Sequence, residues 1–162
     1  MPAVQVAVCG PSICTPEEER AAFEVGRRLA QRGHIVLCGG GGGVMAAAAA
    51  GAHSAEGLVV GVRPGRDPGE AAPHLSVVIS TNLGEARNAV LVGSAHAVIV
   101  VGGSWGTLSE VALAMRRARD GGPPVVVYLG GWRVLDAAGH EVPGLRTAST
   151  PDEAVALAVG HP

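Results

Sequence analysis

The chain contains no lysine; all twelve of its basic residues are arginines. A pyridoxal-phosphate enzyme needs a lysine for its Schiff base, and a Walker-type loop needs one on the phosphates. Both classes are therefore excluded, whatever the glycine loops look like. Aromatic residues are nearly as scarce, with two tryptophans, one tyrosine and one phenylalanine among 162 residues. No stretch interleaves arginines with aromatics and the formal net charge is −2, so nucleic acid is not expected as a partner. The three cysteines, Cys9, Cys14 and Cys38, are odd in number and lack C-x-x-C spacing. Reduced, mostly buried thiols are expected rather than a disulfide frame or zinc site. The histidines show neither H-x-x-H nor H-E-x-x-H spacing, so no metal is expected. No apolar run approaches the ~20 residues that span a bilayer, and the N-terminus has no charged leader region. A cytoplasmic protein without a membrane partner is the expectation.

What is present suits one compact domain over residues 1–162, with 48% hydrophobic and 16% charged residues. The apolar runs at 4–8, 35–37, 58–62, 77–79, 97–101 and 125–129 are short, β-branched and continuous rather than alternating. Such runs fit strands buried on both faces, as in a parallel sheet. Helical patterns alternate with most of them, over 16–31, 44–54, 83–94, 107–119 and 151–159. The alternation predicts an α/β fold, a Rossmann-like doubly wound, mainly parallel sheet with helices on both faces. The proline- and glycine-rich stretch 63–73 reads as a surface loop.

Ligands of such sheets sit at the carboxyl ends of the strands, where strand order reverses. Two strand-to-helix turns there are rich in glycine. The first is Gly39-Gly40-Gly41-Gly42-Gly43-Val44-Met45, and the second is Gly102-Gly103-Ser104-Trp105-Gly106-Thr107. Glycine lets a ligand approach the backbone, and the start of the following helix offers unpaired N–H groups to an anion. Two such turns point to a phosphorylated ligand. No G-x-G-x-x-G with a distant acid is present, so a dinucleotide is not the first choice.

Two charged residues belong with these turns. Arg87, near the start of the third helix, is placed to hold a phosphate bidentately or to remain a solvated surface charge. Glu110 closes Thr107-Leu108-Ser109-Glu110, a capping-box pattern also written at Thr15-Pro16-Glu17-Glu18 and Thr150-Pro151-Asp152-Glu153, and approximately at Asn82-Leu83-Gly84-Glu85. Capping alone would account for it. Trp105, between glycines, is equally suited to stack on a base or pterin ring and to cover apolar surface at a subunit interface.

These residues resemble a known group. Gly39-Gly40 with Gly43-Val44-Met45 and Gly51-Ala52, then Ala86-Arg87-Asn88-Ala89-Val90-Leu91-Val92, then Gly102-Gly103-Ser104-Trp105-Gly106-Thr107-Leu108-Ser109-Glu110, look like the paired motifs of the LOG-like superfamily. That superfamily contains cytokinin-activating phosphoribohydrolases and molybdenum-cofactor carrier proteins. The resemblance implies a homodimer or homotetramer holding a small phosphorylated ligand. It places the ligand on Gly39, Gly40, Gly43, Met45, Gly102, Gly103, Ser104, Trp105, Gly106 and Thr107, with Arg87 and Glu110 in the catalytic positions. It requires no cofactor for turnover, although molybdenum cofactor or a nucleotide could be bound. Gly102 stands where the hydrolase motif has proline, and Ser104 where it has glycine. Asn88, Gly93 and Ala46 replace its lysine, second arginine and glycine. All of these place the chain nearer the carrier-like branch.

Three functions are open at this point. One is hydrolysis of the N-glycosidic bond of a nucleoside 5′-monophosphate, with Glu110 stabilising an oxocarbenium-like ribose and Arg87 positioning it. Another is binding or carriage, without turnover, of molybdenum cofactor or another phosphorylated pterin or nucleotide. The third is a sensing or assembly module that keeps the site without chemistry. The "lysine decarboxylase" label carried by some of this superfamily is rejected, since the Schiff-base residue is missing.

Overall fold

In the computed structural model, residues 2–119 and 125–160 are described. Their elements run in the order β1 (Gln5–Cys9), α1 (Pro16–Gln31), β2 (Ile35–Cys38), α2 (Val44–Ser54), β3 (Val59–Arg63), β4 (Val77–Ser80), α3 (Arg87–Gly93), β5 (Ala97–Val101), α4 (Trp105–Arg119), β6 (Val125–Leu129), β7 (Leu145–Ala148) and α5 (Pro151–Val159). The strands form one seven-stranded sheet in the order β4-β3-β2-β1-β5-β6-β7. Every pairing is parallel. From β1 the chain steps outward to β4, crosses back to β5 and continues outward to β7. Strand order therefore reverses between β1 and β5, and their carboxyl ends open a crevice.

Side-chain alternation along the central strands divides the core into two layers. Val6, Val8, Ala97, Ile99 and Val101 face α1, α2 and α5, where Val25, Leu29, Ala48 and Val155 complete the packing. Ala7, Cys9, Val98 and Val100 point to the other face, onto Leu91 and Val92 of α3 and Val111 and Ala114 of α4. Cys9 and Cys38 thus lie on opposite faces of neighbouring strands, and all three cysteines are free, with Cys14 only half-buried. The α/β doubly wound sheet expected from the apolar runs is the fold the chain adopts.

Local chemistry explains most helix starts. Thr15 accepts from the Glu18 N–H while Glu18 returns a bond to the Thr15 N–H, with Pro16 at the first helical position. Thr150 caps α5 by accepting from Glu153 N–H, while the Glu153 carboxylate accepts from the Ser149 N–H rather than from the cap itself. Three expectations need correction. The helix expected over 107–119 begins at Trp105, because Ser104 is its cap: Ser104 Oγ accepts from Thr107 N–H at 3.2 Å, and its carbonyl from Leu108 N–H at 2.8 Å. Thr107 is therefore inside the helix and its box with Glu110 does not form. The helix expected over 83–94 opens as a short 3-10 turn, Gly84–Ala86, before α3; Asn82 sits at φ 53°, and no side chain caps either piece. Strand β7 was not expected, since Leu-Arg-Thr-Ala is a half-exposed edge strand without an apolar run. Among the described residues no helix is long and apolar enough to cross a membrane.

Candidate functional site

Three turns converge on the crevice: Gly10–Ser12 after β1, the Gly39–Gly43 turn after β2 and the Gly102–Gly106 turn after β5. A cleft of about 210 Å3 lies among them, lined by Gly10, Pro11, Ser12, Met45, Arg87, Asn88, Ser104, Gly106, Thr107 and Glu110. A second cleft, of about 450 Å3, shares Arg87, Asn88 and Gly106 and continues to Pro64, Glu85, Trp105 and Ser109. A larger groove of about 960 Å3 runs between α1 and α2 past Ile13, Phe23 and Ala47, and takes in Gly43. The smaller clefts hold the charged groups at the strand ends, where an α/β sheet places its ligand. Among the described residues no group of three or more His, Cys, Asp or Glu side chains is arranged to hold a metal.

Arg87 is the first residue of α3, and its guanidinium is tied down on three sides. Nη1 donates to the carbonyls of Gly39 and Val62, each at 2.7 Å, and Nε donates to Asn88 Oδ1 at 2.7 Å. Only glycine allows this at position 39, because a Cβ there would stand 2.6 Å from Arg87 Nη1 and 2.7 Å from Met45 Sδ. Asn88 is buried and passes the connection on, donating from Nδ2 to Ser109 Oγ at 2.9 Å. Ser109 Oγ donates to the Gly106 carbonyl at 2.6 Å. A continuous run of hydrogen bonds therefore joins the first glycine turn to the second. Burial lowers the Arg87 pKa; Glu110 opposes that change and the like charge of Arg63 adds to it.

Glu110 lies in the second turn of α4, only 7% exposed, on the layer that contains Cys9. Burial pushes its carboxyl up to about 7, while the Arg87 guanidinium and the Cys9 thiol pull the other way. Desolvation also raises the Cys9 thiol, with the neighbouring carboxylate adding to it. Near neutral pH the Glu110 carboxyl is thus divided between a hydrogen-bond donor and an anion.

The second turn is closed by its own residues. Ser104 Oγ and Thr107 Oγ1 are 2.9 Å apart, and Thr107 is buried. Gly102, at φ 75°, lies against the Glu18 carboxylate. Gly103 makes room for Trp132, whose Cδ1 would be 2.4 Å from a Cβ at that position. Trp132 meets Trp105 edge to face at 5.1 Å between ring centroids, and Trp105 remains 79% exposed.

The residues selected from sequence do not all meet. Met45, Arg87, Ser104, Gly106, Thr107 and Glu110 share the first cleft, and Trp105 borders the second. Gly39 lies under Arg87 and Gly40 under Arg63, while Gly43 packs against the Pro11 and Ser12 carbonyls. Sequence reasoning passed over Gly10, Pro11 and Ser12, although a β1–α1 turn beside the reversal of strand order is where Rossmann-like sheets bind phosphate. It also passed over Asn88, noted only as a departure, and Ser109 and Cys9.

Comparison with known proteins agrees with this architecture. The model of the SLOG cluster4 family matches residues 3–155. A protein of Archaeoglobus fulgidus is 39% identical over 158 residues, covering 96% of this chain and 94% of its own. The molybdenum cofactor binding protein of Rippkaea orientalis superposes with a TM-score of 0.84 at 33% identity, covering 97% of this chain and 96% of that one. The molybdenum cofactor carrier protein of Chlamydomonas reinhardtii gives 0.78 at 30%, with 96% and 95% covered. DNA processing protein A of Helicobacter pylori shares the fold at 19% identity and a TM-score of 0.60, covering 80% of this chain and 66% of its own. That likeness carries the fold alone and says nothing of DNA.

Proposed function

The chain belongs to the SLOG cluster4 family, and on that premise we propose that it binds and carries a phosphorylated pterin of the molybdenum-cofactor type. The observation that carries this reading is the paired cleft at the strand reversal, with the start of α4 and Arg87 on one side and the exposed Trp105 indole beyond. The uncommitted N–H groups of the Ser104–Thr107 turn take the terminal phosphate, since a helix start favours an anion. Trp105 offers a flat apolar surface to the ring, at low entropic cost for a side chain with two rotatable bonds. The similarity to the Rippkaea and Chlamydomonas proteins supports the same ligand class.

One local feature favours carriage over hydrolysis: Asn88 occupies the position of the hydrolase lysine and accepts the Arg87 Nε–H. A lysine has three donors and no acceptor, so it could not orient Arg87 in this way. Arg87 is thus fixed as a wall of the cleft.

The test uses the purified protein. Its bound fraction should contain a pterin, seen by fluorescence after oxidation, together with molybdenum by elemental mass spectrometry. Incubation with AMP, GMP, CMP and IMP should release no free base above the Glu110→Gln background. Base release by the unaltered protein, without any bound pterin, would establish the phosphoribohydrolase instead.

A further inference from the structure

Three of the chain's four aromatic side chains, Trp105, Trp132 and Tyr128, gather in one region, and the phosphate clefts use only the first of them. Trp132 and Tyr128 line a separate cavity of about 240 Å3, formed by β6, β7 and the segment 130–142. It shares no lining residue with the two clefts at the strand reversal or with the groove between α1 and α2.

The segment that forms it is held in place. Gly131, at φ 88°, lies so close to the second glycine turn that a Cβ would stand 2.2 Å from the Gly102 carbonyl oxygen. Trp132 lies on Gly103, and Arg133 Nη2 donates to Glu141 Oε1 at 2.6 Å. The cavity is therefore built into the fold and is formed before any ligand arrives.

Its chemistry is narrow. Val134, Val142 and Leu145 supply apolar wall. The two charged liners, Arg133 and Glu141, are paired with each other and both are largely exposed. Tyr128 is only 6% exposed, yet its hydroxyl makes no hydrogen bond with any described residue. Nor is that hydroxyl sealed off: among the described residues, only Arg28 Nε and Arg63 Nε are both enclosed and unpartnered. It thus opens onto the cavity that Tyr128 lines. Buried polar groups are as a rule satisfied, so this one calls for a partner inside the cavity. Desolvation raises the Tyr128 pKa, which keeps the hydroxyl a donor. Size limits the partner. An apolar cavity of about 150 Å3 takes benzene, so one of about 240 Å3 takes two fused rings.

We propose that this cavity is a second binding site, for an uncharged planar heterocycle of two fused rings whose nitrogen accepts from the Tyr128 hydroxyl. It is separate from the phosphate clefts and does not depend on the reading of them given above.

The test titrates the whole protein by calorimetry with benzimidazole, with indene, which has the same outline but no nitrogen, and with benzimidazole-2-carboxylate. Benzimidazole should bind about fivefold more tightly than indene, the gain from one hydrogen bond. The carboxylate should bind about a hundredfold more weakly than benzimidazole, because its charge would be buried without a partner. Tyr128→Phe should bring benzimidazole down to the affinity of indene and leave indene unchanged, which also shows that the variant is folded. Thr147, paired with Tyr128 across β6 and β7, lines the same cavity, and Thr147→Phe should abolish binding of both. If Thr147→Phe does not fold, Tyr128→Phe alone decides. Saturating GMP should displace neither ring compound. Failure of benzimidazole to bind the unaltered protein at millimolar concentration overturns the proposal, as does binding that is indifferent to Tyr128 or yields to GMP. None of these failures touches the phosphorylated-ligand reading, which is judged by pterin and molybdenum in the bound fraction.

Discussion

The two glycine turns look alike in sequence and differ in almost everything around them. The turn after β2 has no side chain of its own beyond hydrogen, and its helix is uncapped; arginines from β3 and α3 supply its chemistry. The turn after β5 brings its own chemistry in Ser104, Trp105 and Thr107, and Glu18 and Trp132 stand against it. One is a bare frame walled by positive charge, and the other is a self-capped helix start with carboxyl groups on either side. The lesson is that a glycine run marks where a ligand can approach, while the neighbouring strands and helices decide what it meets.

The largest effect is expected from filling the bare turn. Gly39→Val would displace Arg87 from two carbonyls and press on Met45, costing roughly 2–4 kcal/mol in urea unfolding and more than a hundredfold in ligand affinity. The matching Gly103→Val has the indole of Trp132, itself 39% exposed, as its nearest neighbour and should cost about 1 kcal/mol. Equal losses for the two variants would erase the difference between the turns.

Next comes the carboxyl beside the second turn. With its folded pKa about 7, above the ordinary 4.5, Glu110 holds a proton in the folded state that it loses on unfolding between those values. Its contribution to stability is therefore full below the lower value and declines as pH rises through the higher one. Above that the ionised buried group costs roughly 3 kcal/mol. Glu110→Gln should match the unaltered protein near pH 5 and exceed it by about 2–3 kcal/mol at pH 8, read from urea midpoints. A variant that is weaker at pH 8 would mean that the ionised carboxylate is well paired.

Ser104→Ala should remove the α4 cap at a cost of about 1 kcal/mol, whereas no substitution of a capping side chain can do the same to α2. The smallest change in stability belongs to Trp105→Ala, within about 0.5 kcal/mol for so exposed a residue. Ligand affinity should nevertheless fall about tenfold, and the fluorescence response to ligand should drop to that of Trp132. An unchanged affinity would assign the indole to an interface between subunits instead.

The fold was legible because the buried strands are short, continuous apolar runs rich in valine, isoleucine and leucine, as strands covered on both faces require. The edge strand β7 escaped notice because an edge half-exposed to water needs no such run. At the site, Arg87 and Glu110 could be found from local pattern and resemblance, but the Thr107–Glu110 box misled. Ser104, three residues ahead of Thr107, is an equally good cap, and choosing between them depends on where β5 ends and how Trp132 lies on Gly103. Asn88 and Arg63 were harder still. Asn88 acts on Ser109, 21 positions away in sequence, and Arg63 on the Gly40 carbonyl, 23 away in the loop after another strand, and no local spacing records such a contact.

The hydrogen-bonded run from Gly39 through Arg87, Asn88 and Ser109 to Gly106 works as a tie rod across the crevice. Helix α3 holds its middle, and at seven residues, without a side-chain cap, α3 has little rigidity of its own. A push on α3 is transmitted to both glycine turns at once, so the two halves of the crevice tighten or slacken together rather than one at a time.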